Sequence, residues 1–335
     1  MARGAVIGLL LWCHGCAATN VPLLVAHDSS PAWPNPPDRP RVRYVGEIQG
    51  SEDLHAPKKP GQTWRRVLYG PQEPLRLVTP HAVAISDTGQ RVAVADTNAA
   101  HVVVFDLGQR THDIKKAGSS EPQCPVGVAW AGDALLIADS KLKCVTVMEA
   151  SGAKRSIGVG LLERPAGIAF HAPSGLLYVT DGGAQAVFAF DLNGKLVLRF
   201  GSRGAGPGEF NFPSQMATGP DGTLWVADSM NFRIQRFAPD GTPLGAFGFK
   251  GDAAGDLALP KGVAVDSDGN VWVVDAQFEN VQAFTAEGKL LMAFGGEGRE
   301  KGQFWLPSGI CIDRQRRMWI ADTYNRRIQV FELLP

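Results

Sequence analysis

One strand-ending motif recurs six times along the chain, and that regularity leaves few folds open. The segments VAVAD, LLIAD, LYVTD, LWVAD, VWVVD and MWIAD end at Asp96, Asp139, Asp181, Asp228, Asp275 and Asp322. Successive aspartates lie 43, 42, 47, 47 and 47 residues apart. Each segment follows a proline, a short apolar run and a turn, so the repeats start near 80, 125, 165, 213, 260 and 307. A period of this size built from strands implies a β-propeller with one four-stranded sheet per repeat. A helical solenoid would need a 3.6-residue rhythm, which these segments lack.

The fifth repeat spells out all its strands: KGVAVD (261–266), VWVVD (271–275), NVQAFT (280–285) and KLLMAFG (289–295). Asp268-Gly269 and Glu287-Gly288 sit at its tight turns, where glycine supplies the positive φ. The sixth repeat ends after its third strand, RIQVFE (327–332). The segment RVRYVGEIQG (41–50) reads as the missing fourth strand, pairing with the last strand of the chain. Such closure hides sheet edges that would otherwise invite aggregation. The expected fold is therefore all-β, one six-bladed propeller over residues 41–335. Residues 51–79 are an insertion, in which GQTWRRVLYG (61–70) reads as two turns of amphipathic helix against the propeller wall.

The N-terminus points to export. Arg3 precedes an apolar run, Ala5 to Trp12, too short to span a bilayer but suited to a signal peptide. Gly15 then Cys16 resembles a bacterial lipobox, although Cys13 and His14 depart from its usual residues. Residues 1–16 are read as the signal, with lipid on Cys16; cleavage near Ala18 is the alternative. Residues 17–40 carry Pro22, Pro31, Pro34, Pro36, Pro37 and Pro40 and read as a tether. Lys plus Arg and Asp plus Glu both count 33, so bulk electrostatics argue against non-specific nucleic-acid binding.

FPSQMATGPDGTLWVADSMNFRIQRF (212–237) and LPSGICIDRQRRMWIADTYNRRIQVF (306–331) resemble NHL repeats, as do the glycine-rich links at 200–213 and 294–307. The resemblance covers about residues 80–335 and is weakest in the first two repeats. The layout as a whole resembles bacterial cell-envelope NHL lipoproteins. It implies a membrane-anchored binding scaffold for a protein or other envelope ligand, without nucleic acid, cofactor or catalytic residues.

Most repeated residues read as packing. The slot three before each aspartate holds Ala93, Leu136, Tyr178, Trp225, Trp272 and Trp319, expected between blades. The aspartates, with Asn231, Arg233, Asn325 and Arg327, are expected to bond loops. Related six-bladed lyases and lactonases hold a metal at the central channel, so a metal-dependent lyase or hydrolase is the alternative function. Of the residues after the repeat prolines, His81, Val126, Ala166, Ser214, Lys261 and Ser308, only His81 suits a metal. The expected binding face carries the links between blades and the loops after each repeat aspartate. Its candidates are His81 and Lys261 at the channel mouth, Gln215 where other repeats have Gly127, Gly167, Gly262 and Gly309, and Met230, Phe278 and Tyr324 in loops. Cys311 fills a slot that is alanine elsewhere and reads as a buried free thiol. Cys124 and Cys144 are candidates for a disulfide: two strand spacings separate the strand starts by about 9–10 Å, and the link carrying Cys124 would have to close that gap.

Overall fold

A computed structural model describes residues 24–27, 29–54, 74–118 and 123–335. Residues 1–16, read above as a signal with lipid on Cys16, and the 61–70 segment lie outside these residues. Six antiparallel sheets form the blades of a propeller. Their innermost strands are Pro80–Ile85, Pro125–Ala131, Pro165–His171, Pro213–Thr218, Pro260–Val265 and Ile310–Ile312. In blade 6 the outer strand is Val42–Ile48, antiparallel to Arg327–Leu333, so the two ends of the chain share one sheet.

The apolar core is divided by the blades. Six buried clusters fill the six interfaces between neighbouring sheets. Alternate residues of a strand face opposite neighbours, which is why these strands are apolar on both faces. Tyr178 packs toward blade 4, Trp225 toward blade 5, Trp272 toward blade 6 and Trp319 toward blade 1. Two indoles are anchored by turn carboxylates: Trp272 Nε1 donates to Asp266 at 2.8 Å and Trp319 Nε1 to Asp313 at 2.9 Å.

Each repeat aspartate is a latch. All six are fully buried. Each accepts backbone N–H bonds from the link entering its own blade: Val78 and Thr79 to Asp96, Cys124 to Asp139, Glu163 and Arg164 to Asp181, Asn211 to Asp228, Ala258 and Leu259 to Asp275, and Trp305 to Asp322. The carboxylate thus fixes the innermost strand against its neighbour. In blades 1 to 5 the ladder slips register just after the proline. A bulge there frees the following residue from the pleat and re-aims it.

Two sequence expectations need correction. The proline-rich stretch is not a free tether in its described part. Leu24 is buried in the cluster between blades 6 and 1. Ala32–Trp33 pairs outside Val42–Ile48, and the Trp33 ring sits 5.3 Å from Phe294 and 5.9 Å from Phe331. Burying an indole outweighs the preference of the flanking prolines for solvated, extended chain. Second, Cys124 and Cys144 are free thiols. The Asp139 latch engages the Cys124 backbone, whereas Cys144 lies buried among Ser156 and Thr146, so the link does not close the gap. Cys311 is also free, as expected; the residue as a whole is half-buried, while its thiol is enclosed.

Candidate functional site

The two ends of the propeller differ. The links between blades and the loops after the latch aspartates gather at one end, the link face. Two-stranded turns occupy the other. The central channel runs between them.

Near the link face the channel is crossed by Gln215. Its Nε2 donates to the His81 carbonyl at 3.2 Å, spanning from blade 4 to the opposite blade 1. Small residues make room for it. A Cβ on Gly309 would come within 3.2 Å of Gln215 Nε2 and 2.7 Å of the His81 carbonyl oxygen, and one on Gly167 within 2.6 Å of the Gln215 backbone. Below this bar a cavity of about 270 Å³ continues toward the turn face. Its wall is a ring of Ala84, Ala129, Ala169, Ala217, Ala264 and Cys311. Burial and the nearby Asp313 push the Cys311 thiol well above its usual range.

Above the bar lie the residues that follow the repeat prolines. Ser308 Oγ donates to the His81 carbonyl at 2.7 Å, and Ser214 Oγ to the Lys261 carbonyl at 2.8 Å. These hydroxyls, with Thr97 bonded to the Pro125 carbonyl and Ser229 to the Pro260 carbonyl, stitch blade 1 to 2, blade 4 to 5 and blade 6 to 1. They are occupied by structure. His81 and Lys261 are not. Burial, then the charge of Lys261, lowers the imidazole to about 4, so His81 is neutral at physiological pH. Burial, then Arg164, lowers the Lys261 ammonium from its ordinary value.

Of the six candidate positions, His81, Gln215 and Lys261 come together at the mouth. Met230 and Tyr324 are exposed in loops on the same face, with the Tyr324 ring tilted against that of Trp305 at 5.6 Å. Phe278 is half-buried, and its amide is held by Asp275, so it presents less surface than expected. Sequence reasoning missed Arg164 and five exposed apolar groups of the links: Val78, Val159, Leu161, Phe212 and Phe249, the last 67% exposed. Phe212 had a readable signal, an aromatic directly before a repeat proline, where its neighbours in other repeats are Thr79, Cys124, Arg164, Leu259 and Leu306.

The latch in blades 4 and 6 grows into a network. Arg327 donates to Asp322 at 2.7 Å, to Glu47 of the closing strand at 2.8 Å, and to the Glu300 and Gln303 carbonyls. Arg233 repeats the pattern with Asp228 and the carbonyls of Ala205, Gly206 and Glu209. Gln235, Gln282 and Gln329 each donate to a link carbonyl. These polar residues hold the links down and are not available to a ligand. Among the described residues, no group of three or more His, Cys, Asp or Glu could hold a metal. The latch carboxylates face backbone amides and the channel ring is alanine, so the described residues do not fit a channel metal.

This geometry defines a class, a six-bladed β-propeller whose links are pinned by strand-end aspartates. Comparison with known families agrees. Residues 304–331 match the NHL repeat, and residues 161–245 match a family described as a 6-bladed beta-propeller. The chain is a six-bladed propeller carrying NHL-type repeats. No sequence relative is found among the curated proteins. Among solved structures, the chain is similar to a gluconolactonase of Xanthomonas campestris, at a TM-score of 0.62 and 18% identity over 93% of this chain and 97% of that one. It is similar to the virginiamycin B lyase of Staphylococcus aureus, at 0.60 and 16% over 93% and 97%. An auxiliary nutrient binding protein of Bacteroides thetaiotaomicron matches at 0.59 and 14% over 76% and 68%. At such identities the shared feature is the fold.

Proposed function

We propose that the protein is a non-enzymatic binding scaffold of the bacterial cell envelope, lipid-anchored at Cys16, that engages a protein partner or other envelope ligand through its link face. One observation carries this reading. The large exposed apolar side chains among the described residues lie on links and loops of the link face, on outer strands, or at Val25 near the N-terminus; none comes from the turns at the opposite end. Val78, Val159, Leu161, Phe212, Met230, Phe249 and Tyr324 are the link-face set. Exposed apolar and aromatic groups over a rigid frame are the composition of a recognition surface.

The test is capture from membranes. A Phe212→Ser/Met230→Ser/Tyr324→Ser variant should lose the proteins that co-purify with the native chain, and Cys16→Ser should move the protein to the soluble envelope fraction. Retention of the same partners by the triple variant overturns the choice of face. The alternative, a metal-dependent lyase or hydrolase at the channel, draws on the likeness to a lyase and a lactonase. Stoichiometric divalent metal in the purified chain would favour it.

A further inference from the structure

We infer that the channel mouth on the link face is a binding site for an oxyanion, a carboxylate or phosphate group carried by the ligand. The inference deepens the proposed reading, since it rests on the link face being the binding face. Three basic residues from alternate blades flank it: His81 of blade 1 and Lys261 of blade 5, both half-buried on innermost strands, and Arg164, exposed in the link just before the innermost strand of blade 3. Lys261 lies close enough to both others for its charge to act on His81 and for Arg164 to act on it. A half-buried ammonium with a second cation near it is unfavourable unless something else offsets the charge. Nothing among the described residues does. Among the described residues, neither the Lys261 ammonium nor the Arg164 guanidinium makes an ion pair, and no hydrogen bond from either is present; Lys261 is the one of the two that lies half-buried without a partner.

The rest of the mouth fits the same occupant. Hydroxyls that could solvate the cations are turned outward to neighbouring carbonyls, as described for Ser214 and Ser308. Gln215 closes the floor, so a ligand stops at the mouth rather than threading the channel. The remaining donors are the ammonium, the guanidinium and the neutral imidazole. Val126 and Ala166, half-buried in the equivalent slots of blades 2 and 3, and exposed Phe212 beside blade 4 supply apolar wall. A planar guanidinium and a point ammonium together suit an oxygen-rich anion. The apolar wall suits the carbon skeleton attached to it.

The experiment is thermal melting of the purified chain, titrated at constant ionic strength with inorganic phosphate in one arm and benzoate in the other, against chloride. At least one oxyanion should raise Tm saturably; which one does identifies the group, phosphate or carboxylate. Lys261→Gln and Arg164→Gln should each raise the half-saturating concentration tenfold or more, while Arg203→Gln, an exposed link arginine away from the mouth, should leave it unchanged. Without added anion, Lys261→Gln should melt at or above the native temperature, because it removes an unpaired charge. No saturable stabilisation in either arm overturns the inference, as does a Lys261→Gln variant that still responds like the native chain or melts lower without anion. If the anion response fails while capture still depends on the link face, only this inference falls. If the anion response holds while the triple variant keeps its partners, the apolar part of the proposed face is the part that fails.

Discussion

At the scale of residues, the chain spends its buried charges on holding loops in place. Asp322 shows the balance: burial raises its carboxyl above the usual value, although Arg327, Asn325 and the Trp305 amide all favour its ionised form. Removing Arg327 strands that charge. Arg327→Ala should destabilise the protein by about 3–5 kcal/mol, read as a lower urea midpoint. Because the folded-state pKa of Asp322 is raised, the fold binds its proton more readily than the unfolded chain, so the deficit should shrink as pH falls toward the carboxylate range. His81 gives the opposite case. Its folded value of about 4 lies below the unfolded 6.5, so the unfolded chain takes up the proton first. The stability from neutral His81 is complete above about pH 6.5 and is lost as pH falls toward 4, on the order of 2 kcal/mol after allowing for partial exposure. His81→Asn should flatten that part of the pH profile of Tm, so that the native-minus-variant difference falls as pH goes from about 6.5 to 4. The latch aspartates were legible because they recur in register. The basic residues at the mouth were only half legible: Lys261 and His81 share a repeat slot, but Arg164 precedes a proline in its own link, and nothing in the sequence says that its charge acts on Lys261.

At the scale of elements, strands announce themselves through their neighbours. The fourth strand of blade 6 was readable because the last repeat stops one strand short and RVRYVGEI alternates as an outer strand should. Its pairing with Arg327–Leu333 buries Val42, Tyr44 and Ile48 and joins Glu47 to Arg327. Deleting residues 41–50 removes these together and exposes the edge of Arg327–Leu333. The truncated chain should melt at least 10 °C lower and aggregate on heating, followed by circular dichroism and light scattering; an unchanged midpoint would show that the ring does not depend on this strand. The Ala32–Trp33 pairing was not readable. Two residues carry no periodicity, and the prolines around them read as spacer. What decides their position is one indole finding Phe294 and Phe331, a tertiary event with no local signature.

At the scale of the whole molecule, the propeller separates stability from recognition. Its core lies in six radial interfaces, its ring is sealed by the chain's own N-terminal strand, and its link polar groups are consumed by latches. What remains free on the link face is therefore dispensable to folding. That gives the face variant a stringent expectation. Phe212, Met230 and Tyr324 are 46%, 45% and 53% exposed, and none belongs to an inter-blade cluster. Phe212 also holds a left-handed backbone, φ 52°, which costs more for a bulky residue than for serine. The triple serine variant should melt within about 2 °C of the native chain, since surface changes away from packed features cost about 0.5 kcal/mol or less each. A matching triple change in the core, Trp225, Trp272 and Trp319 to alanine, should not fold, because each indole fills an interface and its loss costs about 3–5 kcal/mol. A face variant that folds normally yet loses its partner assigns those side chains to recognition; one that melts as low as a core variant assigns them to packing and removes the ground for the proposed face.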